Sequence, residues 1–364
     1  MFKVDKYLLI PFLYLVLLGC MMVFSASVSI HSSSSGVLTL FVKHLITIGF
    51  GTVCLLICYF TPLEYWQKII YILLVISIIA LILVLVPGIS SEIKGAKRWL
   101  KLPFGFNFQP SFFCKWVLII YMATSLSKKT PEKIKSFKKG MLPYLVILFV
   151  LGLLFLFEPD FGGFIVMSIM SFIMMLIAGT RLIYWLIMGI ILSPILGYIA
   201  VTKTYRWNRL LAFIDVWKYA QSYSYQIVQS LLSFAGGGIF GRGIGNGIQK
   251  LSFLPEAHTD FIFSVIGEEL GFVGTISVVV SFLIIMTRGF YLAYNLTDNT
   301  YLCYLACGLT LFVSLEAAFN MLVTLSMAPP KGLPMPFVSY GGTAMMVYFS
   351  TMGLLLNISR RVKC

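Results

Sequence analysis

Three acidic side chains lie deep inside apolar runs of this sequence: Glu268, Glu269 and Glu316. An ionisable group at membrane depth is costly, so it faces a cavity, a partner or a substrate. For each of the three, pairing with a neighbouring helix and membership of a reactive site weigh equally. Ahead of the first two runs Leu254-Pro255-Glu256-Ala257-His258-Thr259-Asp260, after which the sequence turns apolar. Asp260 stands where a polar loop becomes a helix, which is the place of an N-cap. Asp260, Ser264 and Glu268 also share one helical face, pointing inward from the membrane surface. Capping explains Asp260 and leaves Glu268 unexplained.

A glycine-dense stretch, Gly236-Gly237-Gly238-Ile239-Phe240-Gly241-Arg242-Gly243-Ile244-Gly245-Asn246-Gly247, precedes this segment. It lacks the Gly-Lys-Ser/Thr of a nucleotide loop and the strand that leads into a dinucleotide fingerprint. Close packing or a turn is one reading. The other is a loop whose exposed N–H groups, with Arg242, meet an anion. Further cations, among them Arg98, Lys101, Arg206, Arg209 and Lys331, fall in loops that the span order places on the outer face. They work against the usual insertion bias. Long loops translocate whatever their charge, which covers 202–260 but not the short loop 88–109. A need to hold an anion such as a pyrophosphate covers both.

The elements that must position these residues are membrane helices. Of 364 residues, 59% are hydrophobic and only 11% charged, too few charges to cover a water-soluble domain. Ten runs reach the roughly 20 residues that cross a bilayer: about 7–28, 37–60, 68–87, 110–127, 141–158, 161–179, 182–201, 261–286, 301–325 and 342–358. Lipid offers no partners to exposed backbone groups, so an all-α bundle is expected. The fold class is thus an all-α polytopic membrane protein, one domain over 1–364, with a large outer-face loop at 202–260 between spans seven and eight. Lys128, Lys129, Lys133, Lys135, Lys138 and Lys139, with Arg360, Arg361 and Lys363, place both termini in the cytoplasm.

Net charge is +14, but the cations are scattered among spans rather than gathered in a basic module, which argues against nucleic acid. Three histidines (His31, His44, His258) and no clustered cysteines argue against zinc. Leu17-Leu18-Gly19-Cys20 looks like a lipoprotein cleavage signal. The apolar run continues past it through Met21-Met22-Val23-Phe24, so an uncleaved spanning helix is expected.

Six blocks together carry a resemblance. They are Val23-Phe24-Ser25-Ala26-Ser27; Lys94-Gly95-Ala96-Lys97-Arg98-Trp99 with Gln109-Pro110-Ser111 and Lys115; Glu158-Pro159-Asp160-Phe161-Gly162; Tyr225-Gln226 with Gln229-Ser230; Pro255 to Gly271; and Lys331-Gly332-Leu333-Pro334-Met335-Pro336-Phe337-Val338-Ser339-Tyr340-Gly341-Gly342. In this order, over ten spans, the chain resembles the SEDS family (shape, elongation, division and sporulation proteins), and its division member more than its elongation member. The resemblance implies a peptidoglycan glycosyltransferase that polymerises lipid II on the outer face of the bacterial inner membrane, at the division site. It assigns Asp260 as general base. The lipid pyrophosphate would be met by Arg98, Lys115, Arg206, Arg209 and Arg242, with Asp160, Glu268, Lys331 and Ser339 in the same set. A divalent cation, magnesium or manganese, would suit the leaving pyrophosphate, although the sequence holds no self-contained metal site. Implied partners are lipid II and the growing glycan strand, a cognate class B penicillin-binding transpeptidase with other division proteins, and membrane lipid.

One departure stands out. Where the family usually has a Glu, three residues before Lys115, this chain has Phe112. Lys115 therefore needs another counter-ion, and Asp160 or Glu158 is the expectation. Two rival functions use the same residues: a lipid II transporter, and a non-catalytic scaffold for a transpeptidase. Placing Asp260 at the outer surface, rather than at the midplane where transporters bind, favours the enzyme.

Overall fold

The computed structural model describes residues 4–27, 34–93, 96–101, 107–202, 207–208, 211, 213–251 and 253–362. Arg206 and Arg209, two of the expected pyrophosphate cations, lie outside the described residues. The spanning helices are α1 (Lys6–Ser27), α2 (Ser34–Phe60), α3 (Leu63–Leu85), α4 (Pro110–Ser127), α6 (Leu142–Phe157), α7 (Phe161–Ala178), α8 (Leu182–Thr202), α11 (Gly271–Tyr294), α12 (Thr300–Thr324) and α13 (Gly342–Ser359). Shorter helices are α5 (Pro131–Lys135), α9 (Tyr225–Gly237) and α10 (Ile262–Glu269). Among the described residues, nine of these helices are long and apolar enough to cross a membrane. The 21-residue α8 is the tenth expected span.

Asp5, just before α1, and Arg361, just after α13, lie at one end of the bundle. Asp5 pairs with Arg288 near the end of α11, and Arg361 pairs with Glu64 at the start of α3. At the opposite end lie the turn between α6 and α7, the segment 254–261 and the loop between α12 and α13. Helices α4 and α13 are the most enclosed of the spans. Small and polar residues on α13, such as Thr343, Thr351 and Gly353, let neighbouring helices approach.

One expectation gains a detail and one is corrected here. The loop after α3 carries β1 (Ser90–Ile93), β2 (Ala96–Lys101) and β3 (Asn107–Phe108), a small antiparallel sheet in the order β1-β2-β3. It sits outside the spans, where a sheet edge can meet water, and it carries Arg98. The expected span 261–286 is in fact two helices. Gly271, at φ +66°, breaks the run between α10 and α11. The loop carbonyls of Gly238 and Ile239 accept the Phe272 and Val273 amides there, capping the new helix. Glu268 and Glu269 thus lie at the outer end of the bundle, before the membrane-crossing helix, rather than inside it.

Candidate functional site

The site forms where α4, α7, α12 and α13 meet the segments 254–261 and 330–341. Asp260 is half-buried in the turn that leads into α10. It is not the N-cap: that place belongs to Phe261, and no side chain caps the helix. Its position is fixed through the backbone. The Asn320 amide on α12 donates to the Asp260 carbonyl at 2.8 Å and to the Leu333 carbonyl at 2.6 Å. Ser339 donates to the Thr259 carbonyl at 2.6 Å and accepts the Met335 amide at 2.7 Å, while the Tyr340 amide donates to the His258 carbonyl at 2.9 Å. The two outer segments are therefore stitched together around Asp260. Ser339, expected to touch substrate, is a buried staple between them.

Gly332 is the point of closest approach. A Cβ at that position would come within 2.4 Å of an Asp260 carboxylate oxygen, so only glycine leaves that carboxylate its place. The neighbouring Lys331 runs its stem over Gly162 at the start of α7. Its buried ammonium has no hydrogen-bond partner among the described residues. Burial pushes its pKa down to about 8, while the charge of Asp160 pulls the other way. Burial would raise the Asp160 carboxyl, yet Lys331, Arg98 and Lys115, helped by the Gly163 amide it caps at 3.1 Å, hold it below the usual range. Next to it, burial and the Asp160 charge push Glu158 up to about 9, with Arg98 opposing. Neither Glu158 oxygen has a hydrogen-bond partner among the described residues, so at neutral pH this is an uncharged acid. Arg98 reaches from β2 and donates to the Glu158 and Pro159 carbonyls.

Lys115 does not pair with Asp160 or Glu158. Its ammonium forms a fully buried ion pair with Glu316 on α12, whose carboxylate also accepts from the Tyr348 hydroxyl on α13 at 3.4 Å. Phe112 lies one turn back on α4, and the Lys115 ammonium stands 4.0 Å from its ring centroid. A cation over an aromatic face gains roughly 0.5–2 kcal/mol. The residue at the family's usual acidic position thus supplies a π face, and the counter-charge comes from a distant helix.

Two expected members stand elsewhere. Glu268 accepts the Ile248 and Gln249 amides at 2.7 and 3.2 Å and is buried. Ser264, its supposed companion, shares a 2.6 Å hydrogen bond with Ser230 on α9. Neither joins Asp260. In the glycine loop, Glu269 takes the Gly245 amide, the Ser25 hydroxyl and the Lys250 ammonium. Those amides wrap the protein's own carboxylates instead of an outside anion. Arg242 is exposed and donates to the Gly236 carbonyl at 2.9 Å, within its own loop.

Asn320 escaped the sequence reading. It lies four residues after Glu316, on the same face of α12, and a polar amide one turn from a buried carboxylate is the signal that could have found it.

Among the described residues, no three His, Cys, Asp or Glu side chains gather as metal ligands. Asp160 already faces Lys331, Arg98 and Lys115, and Glu158 beside it is uncharged, so among the described residues this neighbourhood does not fit a resident metal.

The family model described as "Cell cycle protein", FTSW_RODA_SPOVE, matches residues 5–364. The chain is 41% identical over 366 residues to the probable peptidoglycan glycosyltransferase FtsW of Trichlorobacter lovleyi, covering 100% of this chain and 95% of that protein. It is 40% identical over 369 residues to the protein of the same name from Geobacter sulfurreducens, covering 99% and 97%. A chain from a structure titled for the coordination of polymerization and crosslinking by a peptidoglycan synthase complex superposes with a TM-score of 0.78 at 24% identity, covering 99% of this chain and 98% of that one. The rod shape determining protein RodA of Thermus thermophilus superposes at 0.72 and 22% identity, over 100% and 98%. These two share the fold.

Proposed function

The chain belongs to the FtsW/RodA/SpoVE family of cell cycle proteins, and on that premise we propose that it is a peptidoglycan glycosyltransferase acting through Asp260. The protein is integral to the membrane. The arrangement that carries the reading is a half-buried carboxylate, positioned by backbone contacts, beside a buried group of cations at one end of a helical bundle.

Polymerising lipid II requires the 4-hydroxyl of the acceptor sugar to attack the anomeric carbon of the donor chain. The C–O bond to the pyrophosphate breaks as the new glycosidic bond forms. Asp260 accepts the hydroxyl proton as it leaves, a contribution of roughly 10²–10⁴-fold. The pyrophosphate departs with its bonding electrons and is stabilised by fixed cations. Lys331 suits this role best, since its ammonium has no hydrogen-bond partner among the described residues to leave. Arg98, held on a carbonyl pair, adds positive potential, while the charge of Lys115 is matched by Glu316. The positive-inside bias assigns the lysine-rich end of the bundle to the cytoplasm, which supports an outer-face position for Asp260 at the inner membrane. Septal synthesis at the division site follows from the likeness to relatives named FtsW, and a transpeptidase partner from the synthase-complex neighbour. The deciding experiment gives purified protein lipid II alone. Glycan chains support the enzyme, whereas movement of lipid II across vesicles without chains would support a transporter.

The reaction's alkaline limit should belong to Lys331. Its cation dominates at pH 7 and is lost as pH rises through about 8, so polymerisation should fall over that interval. Lys331→Arg, whose charge persists, should carry activity to higher pH. An unmoved alkaline limb in that variant would take Lys331 out of the charged step.

Gly332→Ala tests the geometry. The methyl group displaces the Asp260 carboxylate, and a shift of about 1 Å costs on the order of 10²-fold in rate. Polymerisation at the wild-type rate by a normally folded Gly332→Ala protein would show that this approach does not matter.

A further inference from the structure

The glycine loop, which the proposed chemistry does not use, is fastened on two sides. Its Gly238 and Ile239 carbonyls cap the first turn of α11 through the Phe272 and Val273 amides, at 2.9 and 3.1 Å. Its second half is gripped by Glu268 and Glu269 through the amides of Gly245, Ile248 and Gln249, with Lys250 closing on Glu269. A loop so held presents a fixed outer face. That face is apolar: Phe240 is 82% exposed, Ile239 63% and Ile244 54%. Leaving such area in water costs about 25 cal/mol per Å². Arg242, also exposed, stands among them.

What lies below this face identifies what covers it. Phe272 and Val273 are exposed on the first turn of α11, and Ile276, Val280 and Leu283 carry the exposed apolar stripe down the helix. On a spanning helix that stripe meets lipid. Ile239, bonded directly to Val273, extends it beyond the helix end with no polar residue between. At 1.5 Å per residue α11 runs roughly 36 Å, against a hydrocarbon layer of about 30 Å, so its capped end reaches headgroup level.

We propose that the loop tip from Ile239 to Ile244 is seated in the outer leaflet, with Phe240 and Ile244 among the upper acyl carbons and Arg242 at the lipid phosphates. The Arg242 Nε donates to Gly236, which leaves the terminal nitrogens to bridge phosphate oxygens. The loop is then an interfacial anchor that sets the depth of α11 and of the α10 segment leading back to Asp260. The glycines serve close packing against α10 and α11, and the apolar residues between them serve the membrane.

A photoreactive benzoylphenylalanine at position 240, in protein reconstituted into phosphatidylethanolamine–phosphatidylglycerol bilayers, reads the surroundings directly. Irradiation should yield a phospholipid-mass adduct on the peptide containing residue 240. In parallel, Phe240→Trp should add a fluorescence component quenched several-fold more by lipids brominated near the headgroup than by aqueous acrylamide. Quenching of that added component by acrylamide alone would overturn the proposal, as would adducts confined to a second copy of the chain or to an added transpeptidase.

Discussion

Asp260→Asn should insert, fold and survive heating like the wild type, and polymerise lipid II roughly 10²–10⁴-fold more slowly. The amide keeps the size and most hydrogen-bonding capacity of the carboxylate but cannot accept the hydroxyl proton. Structure makes this substitution cleaner than sequence suggested. Had Asp260 capped α10, Asn would have capped about as well, and Ala would have cost about 0.5–2 kcal/mol. The cap is Phe261, and Asp260 is held through its carbonyl by Asn320. Asp260→Ala should therefore be as inactive as Asp260→Asn. Purified variants are compared by glycan product per enzyme and by thermal unfolding in detergent. Near wild-type product from Asp260→Asn would remove this carboxylate from the mechanism.

The second large effect belongs to Lys115 and Glu316. Removing either partner leaves a lone charge buried among helices, which costs ~3–5 kcal/mol. Lys115→Met and Glu316→Gln should each lower the unfolding temperature sharply and reduce yield in the membrane. The double variant should recover most of that loss, because no unpaired charge remains. Slow polymerisation by that stable double variant would assign Lys115 a role beyond its pairing with Glu316. Phe112→Glu adds a second carboxylate one turn from Lys115, and should soften the loss in a Glu316→Gln background. A double variant no more stable than the single ones would show that the ion pair is not what the site rests on.

The spans could be read from the chain because twenty apolar residues in succession have one stable arrangement in lipid, and α4 begins and ends where its sequence says. The break at Gly271 could not. It depends on a loop some thirty residues earlier supplying carbonyls to a new helix end, and within the run Leu270-Gly271-Phe272 looks uninterrupted. Glu268 stays open between two readings in the sequence for a related reason. Its partners are backbone amides, which carry no residue signature, so the residue pattern alone separates neither pairing nor reactivity for a buried carboxylate. Asp260 and Lys331 stand out in the sequence only through resemblance, and physical pattern alone favours a cap for the first. The sheet carrying Arg98 is hidden in the sequence because its strands are short and rich in charge, without an apolar alternation to mark them.

Lys115 meets its counter-ion 201 residues further along the chain. A ribosome delivers α4 to the membrane long before α12 exists, so for that interval the ammonium has no Glu316 to meet. An uncompensated cation at this depth opposes partition into lipid, and α4 is among the least hydrophobic of the spans. The helix is therefore expected to wait, at the translocon or at the bilayer surface, until α12 emerges and the pair can close. Catalytic competence then arrives only after the last two spans are made: Asn320 and Glu316 come with α12, and Tyr348 with α13. A nascent chain stalled before residue 300 cannot carry a working centre, so the growing protein cannot polymerise substrate from an unfinished bundle.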